Sequence, residues 1–287
     1  MSSPHRILYI PRERKRVKKS FRKYFLRIGV AAGVVIFIGG AIVLVRYPAL
    51  QVRAIEIQGG EASRLEEIRT RISSFLEGNS ALIIPRRFIG AVSSNWLEMG
   101  LEDSFPWIAE VQVEKRFPDR LEISFTERKL FGVFCNDLAR SLASSSCPRD
   151  NLCEACAFID ADGVLYESAP STEGALITKI KSDIPEVSIG MKALDSEVIL
   201  WMRAFGEGLR QMFGLGAVAF ELKTAIPEEV RVTTTQGFSL IIDRGADMMD
   251  IFKILRRVLD EEIGVERPRL EYVDLRFGNK VFYKLRE

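Results

Sequence analysis

From Ile28 to Val45 the sequence IGVAAGVVIFIGGAIVLV contains no charge, and Arg27 and Arg46 bracket it. A helix rises 1.5 Å per residue, so the run covers roughly 27 Å, close to a bilayer's hydrocarbon core. Tyr24, Phe25 and Tyr47 stand where interfacial aromatics anchor a span. Residues 28–46 are therefore assigned to a transmembrane helix. A cleaved signal peptide has a shorter apolar region and ends at a small-x-small site, which RYPAL after Val45 does not offer. A buried core helix is the other alternative, and it is rarely preceded by a strongly basic arm.

Beyond the span the periodicity alternates between two and three-to-four. Ile55 and Ile57 alternate with Ala54, Glu56 and Gln58, a strand ended by Gly59-Gly60. Ser63-x-x-Glu66 reads as a capping box opening a helix with Leu65, Ile68, Ile72, Phe75 and Leu76 as its apolar stripe, stopped by Gly78. Pro85 suits the first turn of a second helix carrying Phe88, Val92, Trp96 and Met99 on one face and ending at Gly100. In WIAEVQVEKRFPDRLEISFTER, Ala109, Val111 and Val113 fall on one face of a strand. After a turn, Leu121, Ile123 and Phe125 fall on one face of the next. The order predicted is strand, helix, helix, strand, strand.

No clear linker follows Lys129. LFGVFC is a strand, the Ser-rich stretch 136–155 is a loop or insertion, and AFIDADGVLYE is a hairpin turning at Asp162-Gly163. A helix spans Asp195 to Phe213 with Trp201, Phe205, Leu209 and Met212 as its core stripe, weakened by Gly206 and Gly208. Strands near 217–223, 229–235 and 238–243 come next, the last two joined at Gln236-Gly237. A helix from Asp247 to Ile263 is capped by Asp247 and stopped by Gly264. LEYVDLRF, a Gly278-Asn279 turn and KVFYKLR close the chain as a hairpin. Strands mixed with helices, ending in a hairpin, give an α+β fold class.

Charge sharpens the membrane reading. Residues 1–27 hold ten Arg and Lys against Glu13, leaving the arm at +9; with +2 for all 287 residues, the rest stands at −7. The charge bias keeps arm 1–27 in the cytoplasm and places residues 47–287 outside. The arm then serves as a topology determinant touching anionic lipid, rather than as a specific nucleic-acid binder.

Candidate chemistry is sparse. The single histidine, His5, lies in the arm, so the exported part has no His base, His ligand or Ser-His-Asp triad. Gly206-x-Gly208 and Gly214-x-Gly216 lie in and just after a helix, which is not the setting of a phosphate loop. Asp160-x-Asp162-Gly163 resembles part of a calcium loop, but Ser171 stands where the closing Glu belongs, so it reads as an Asp-Gly turn. Glu127-Arg128-Lys129 reads as a solvated strand end. No catalytic, cofactor-binding or metal residue is assigned; carboxylate-only glycosidase chemistry is the enzymatic alternative.

Cys135, Cys147, Cys153 and Cys156 lie in or beside loop 136–155, on the exported side. An even count in an oxidising compartment favours disulfides, with three connectivities open. Cys135 ends one strand and Cys156 begins the next, a placement suited to a bridge across the loop's neck. Cys147 and Cys153 would then close a small inner loop. A zinc site is the rival, although only Cys153-x-x-Cys156 is a close pair; free thiols are the third reading.

The layout resembles the bacterial division proteins FtsQ and DivIB. VRAIEIQGG after the span, FPWIAEVQVEKRFPDRLEISFTERK, FIDADGVLYE and YVDLRFGNKVFYKL carry the resemblance, over about residues 20–286. Loop 136–155 departs from it. The resemblance implies a POTRA domain at 50–128 and a β domain at 129–287. It also implies a noncatalytic scaffold at the division septum of the plasma membrane, without cofactor or small-molecule substrate, that helps control septal peptidoglycan synthesis. The implied partners are FtsB-like and FtsL-like single-pass coiled-coil proteins. Their implied site is the final hairpin: Arg276, Phe277, Gly278, Asn279, Val281, Phe282, Tyr283 and Leu285. The residues themselves add that a last strand at a sheet edge leaves N–H and C=O groups open for a partner strand, whereas a covered edge would make them plain core. A POTRA module for polypeptide transport or outer-membrane assembly is the competing function. Such modules occur in tandem and feed a β-barrel, and this chain shows one unit and no series of alternating ten-residue strands.

Overall fold

The computed structural model describes residues 18–60, 62–80, 84–136, 155–170, 177–184, 187–278 and 280–287. Contacts divide the described residues into two compact units, one drawn from 1–57, 65–97 and 113–123, the other from 58–64, 98–112 and 124–287.

Helix α1 (Lys18–Val45) contains the apolar span Tyr24–Val45, with a mean hydropathy of 2.7 and none of its span buried. Phe37 is 77% exposed and Ile36 74%. A core helix of a soluble protein would be covered by its own fold; among the described residues nothing buries this one, which suggests single-pass anchoring in a membrane.

Strand β1 (Ala54–Gln58) is followed by α2 (Ala62–Phe75), whose Ile68 and Ile72 are buried. Because α2 begins at Ala62, Ser63 sits in its first turn rather than ahead of it. The helix expected from Pro85 is not there. Ile84 and Pro85 form β3, paired antiparallel with β2 (Asn79–Ser80). The helix α3 instead runs Ser94–Ser104. Ser93 Oγ accepts the Trp96 N–H at 3.4 Å and supplies the start, and the helix passes through Gly100. This later start rotates the buried face onto Leu97 and Leu101, leaving Trp96 and Met99 exposed.

Strands β4 (Ile108–Arg116) and β5 (Arg120–Glu127) are the expected hairpin, and the sheet order is β1-β5-β4. Val111, Val113, Leu121, Ile123 and Phe125 are buried as the alternation requires. Ala109 is exposed and Ile108 takes the buried place, because the burial steps by three between 108 and 111 before settling to two.

Among the described residues the second sheet has nine strands, in the order β14-β13-β12-β11-β10-β9-β6-β7-β8. Its first arm is β6 (Gly132–Asn136), β7 (Ala155–Ile159) and β8 (Leu165–Ala169). The turn between β7 and β8 holds Gly163 at φ +83°. Asp160 Oδ1 accepts the N–H groups of Asp162 and Val164 at 2.9 Å each, so the carboxylate shapes the turn. Strand β9 (Lys179–Ser182), which no periodicity announced, lies parallel between β6 and β10 (Ala217–Lys223). Strands β11 (Ile226–Thr234) and β12 (Ser239–Asp243) continue antiparallel. Then β13 (Leu270–Phe277) joins β12 in parallel, and β14 (Lys280–Leu285) closes antiparallel on β13.

Two helices cover one face of this sheet. On α4 (Ser196–Phe213), Phe205 and Leu209 are buried as expected, Ile199 and Met202 are buried too, and Trp201 and Met212 are half-buried. Gly208 has a packing reason: a Cβ there would lie 2.4 Å from Phe252 Cε2. Helix α5 (Met248–Arg257) is capped by Asp247, whose carboxylate accepts the Met249 and Asp250 N–H groups. Gly264 does not end the helical path: a wide π-type turn covers Val258–Ile263 and a tight 3-10 segment runs Gly264–Arg269. Phe134, Ile180, Phe220, Val232, Leu240 and Val273 from six strands join the helices in one core.

Candidate functional site

The register places Phe282 opposite Asp274, Asp274 opposite Ile241, Ile241 opposite Arg231 and Arg231 opposite Glu221. Side chains in one cross-strand row share a face. Ile180, Val232, Leu240 and Val273 point into the helix-covered core, so this row lies on the other face. It is mostly polar, and at its end stands β14, an outermost strand of the sheet.

Within β14 the alternation splits the predicted residues. Val281 and Leu285 are half-buried and pack against the core beneath the helices. Tyr283 shares their face but lies farther out, 43% exposed. Phe282 points to the opposite face, 53% exposed, and meets Phe277 edge-to-face with centroids 5.5 Å apart. Gly278 turns the hairpin at φ +61°, where a side chain would strain the backbone. Asn279 lies outside the described residues. The edge therefore presents Phe277, Phe282 and Tyr283 on its two faces, and every second residue of an edge strand also presents unpaired backbone groups.

Arg276 is the anchor of the strand before it. Its guanidinium donates to Asp274 at 2.6 and 2.9 Å and to the Glu229 carboxylate, and it lies 5.2 Å from the Phe277 ring centre. A register shift between Asp274 and Phe277 lets the Asp274 carboxylate turn back onto its own strand, where it also accepts the Arg276 N–H. Burial pushes the Asp274 carboxyl up, but the hydrogen bonds from Arg276 outweigh it and hold the group below its usual range. Arg276 is held above its usual value, first by that same hydrogen bond. Arg276 thus fixes the hairpin base and supports the Phe277 ring from behind. Sequence reasoning missed Asp274 and Glu229. Asp274 was findable, two residues from Arg276 on the same strand; Glu229 comes from β11 and needs the strand order. Lys284 is tied to Glu271 at 2.8 Å, which raises its pKa through that hydrogen bond.

Away from the edge, Cys135 and Cys156 are register partners on β6 and β7, joined by a disulfide with an S–S distance of 2.05 Å. With Val133 and Ala169 they form a small buried cluster. Cys147 and Cys153 lie outside the described residues. Arg128, within the second unit, donates to Asp160 at 2.6 Å and to the Pro106 carbonyl at 2.9 Å, an internal role for that strand end. Among the described residues no three His, Cys, Asp or Glu side chains converge as a metal site would require.

The family model for the POTRA domain of FtsQ type matches residues 50–128. No curated protein matches the chain. The FtsQ-type POTRA family is a noncatalytic scaffold family, and the domain marks a division-related protein-interaction module. Residues 50–128 thus match the POTRA domain of FtsQ type, and with an apolar helix ahead of it and a large β-sheet behind, the layout of the chain is similar to that of FtsQ/DivIB proteins.

Proposed function

We propose that the chain is a noncatalytic divisome scaffold of the plasma membrane at the division septum. Arm 1–27 lies in the cytoplasm, and the POTRA domain at 50–128 and β domain at 129–287 lie outside. The β domain takes FtsB-like and FtsL-like single-pass proteins by strand addition on β14, and so helps control septal peptidoglycan synthesis. The observation that carries this reading is the position of β14 at the end of the sheet, with Phe277, Phe282 and Tyr283 exposed around it. Backbone groups of the edge supply affinity and the rings supply specificity. The final hairpin residues Arg276, Phe277, Gly278, Asn279, Val281, Phe282, Tyr283 and Leu285 form the site, with Val281 and Leu285 holding the strand to its own core.

Affinity capture from cross-linked membranes tests this, comparing the unaltered chain with one in which Phe277, Phe282 and Tyr283 are all changed to Ser. Small single-pass coiled-coil proteins should co-purify with the first and be lost with the second. Their persistence with the substituted chain would move the site elsewhere. Capture of secretion or outer-membrane assembly components instead would replace the division reading with the transport one.

A further inference from the structure

We infer that an arginine-rich face at the emergence point of α1 binds anionic phospholipid headgroups in the leaflet where the helix leaves the membrane. The inference rests on the reading of α1 as a span. All of the residues concerned lie in the first compact unit.

The chain leaves α1 at Val45 and folds back at once. Tyr47 opens a single tight turn, Pro48–Leu50, and Val52 then donates its N–H to the Arg87 carbonyl at 2.8 Å. The Leu50 carbonyl accepts the Ile89 N–H at 3.0 Å. Cα atoms of α1 also come within 8 Å of those of β3, the strand just before Arg86. Short connection and backbone pairing together keep Arg86 and Arg87 beside the end of the span. Arg46 and Arg53 flank the same turn in sequence.

All four arginines are exposed. Among the described residues none of them has an ion-pair partner, whereas Arg69, Arg116 and Arg120 of the same unit pair with Glu66, Glu122 and Glu56. The nearby acids Glu77 and Asp119 form no ion pair with the four. Four unpaired guanidiniums at a membrane exit face a surface where phosphate is the abundant counter-charge.

The apolar part of the surface fits the same ligand. Arg86 lies 5.8 Å from the ring centre of Trp96, which is 46% exposed. Trp96 meets Phe75 edge-to-face at 5.2 Å, and both line a shallow cavity of about 300 Å³ with Leu76, Arg86 and Val92. The cavity lining contains no acid. A tryptophan beside an arginine at the end of a span has the amphipathic character of the interface belt, with the ring at the headgroup level and the cation on phosphate. Charge complementarity and continuity with α1 select a phospholipid over a soluble partner.

The test uses the full chain reconstituted into vesicles of phosphatidylcholine alone or mixed with phosphatidylglycerol, with brominated acyl chains on one lipid at a time. The Trp96 signal is the difference between the unaltered chain and Trp96→Phe. Brominated phosphatidylglycerol should quench Trp96 more strongly than brominated phosphatidylcholine. Combined Arg46→Gln, Arg53→Gln, Arg86→Gln and Arg87→Gln should abolish the difference, while the chain still floats with the vesicles through α1. Equal quenching by the two lipids, or none by either, in a chain that floats would overturn the inference and leave the span intact. So would a shift of Trp96 emission by soluble polyglutamate without quenching by brominated phosphatidylglycerol, which would assign the face to an acidic protein segment. A chain that fails to float overturns the span and this inference together.

Discussion

Truncating one ring on β14 separates an interface from an ordinary surface. Phe282 is 53% exposed. A phenylalanine carries about 200 Å² of surface, so about 100 Å² remains for a partner strand to cover. At about 25 cal/mol per Å² that cover contributes about 2.5 kcal/mol. Alanine keeps its Cβ covered, so Phe282→Ala should weaken partner binding by about 2 kcal/mol, or about 30-fold in Kd. The fold itself loses chiefly the edge-to-face contact with Phe277, worth about 1 kcal/mol. Titration of the full chain in neutral detergent against the exported segment of the captured partner gives the Kd, and denaturant unfolding gives the stability. Val265→Ser is the control: Val265 is 95% exposed but lies in the segment after α5 and not on the edge, so Kd should not move. A Kd for Phe282→Ala within threefold of the unaltered chain would refute the reasoning, as would a parallel loss for Val265→Ser.

Three further outcomes follow from the packing. Arg276→Gln leaves the carboxylates of Asp274 and Glu229 without their shared cation and should destabilise the β domain by about 2 kcal/mol in denaturant unfolding. Because the native Asp274 carboxyl lies below its unfolded value, its contribution is full above about pH 4 and is lost as pH falls through the lowered native value. Acid unfolding curves of the two proteins should therefore converge at low pH, and parallel curves would contradict the pairing. Gly163→Ala combines φ +83° with a Cβ only 1.9 Å from the Leu194 carbonyl oxygen, so it should cost about 3 kcal/mol; a neutral result would mean the turn is misplaced. Replacing Cys135 and Cys156 together by Ala releases a closed loop with a sequence separation of 21 and should cost about 3 kcal/mol, with nonreducing peptide mapping of the unaltered chain showing the Cys135–Cys156 link.

What the sequence made legible was local. The hairpin β4–β5 could be read because Val111, Val113, Leu121, Ile123 and Phe125 alternate over enough residues to fix a period. The turn at Gly163 could be read because Asp160 and the glycine define it within a few positions. The helix α3 was misplaced because Pro85 and Ser93 are both acceptable starts, and only the pairing of Ile84 and Pro85 with β2 excludes the first. Strand β9 was invisible because KIKS offers one apolar residue; Ile180 is buried by neighbours that come from β6 and β10. At the candidate site, the aromatic residues of the hairpin stood out, but that β14 ends the sheet depends on the order of nine strands. The Arg276–Glu229 pair joins residues 47 positions apart and depends on the same order.

Hydrogen exchange measures partner binding at the β14 edge directly. The full chain in detergent is exchanged with and without the captured partner, and peptides covering β14 and β8 are compared, since these are the two ends of the same sheet. Strand addition predicts slowed exchange in Lys280–Leu285 when the partner is bound and no change in Leu165–Ala169. Protection confined to Leu165–Ala169, or to the POTRA residues 50–128, with Lys280–Leu285 exchanging as before, would contradict it.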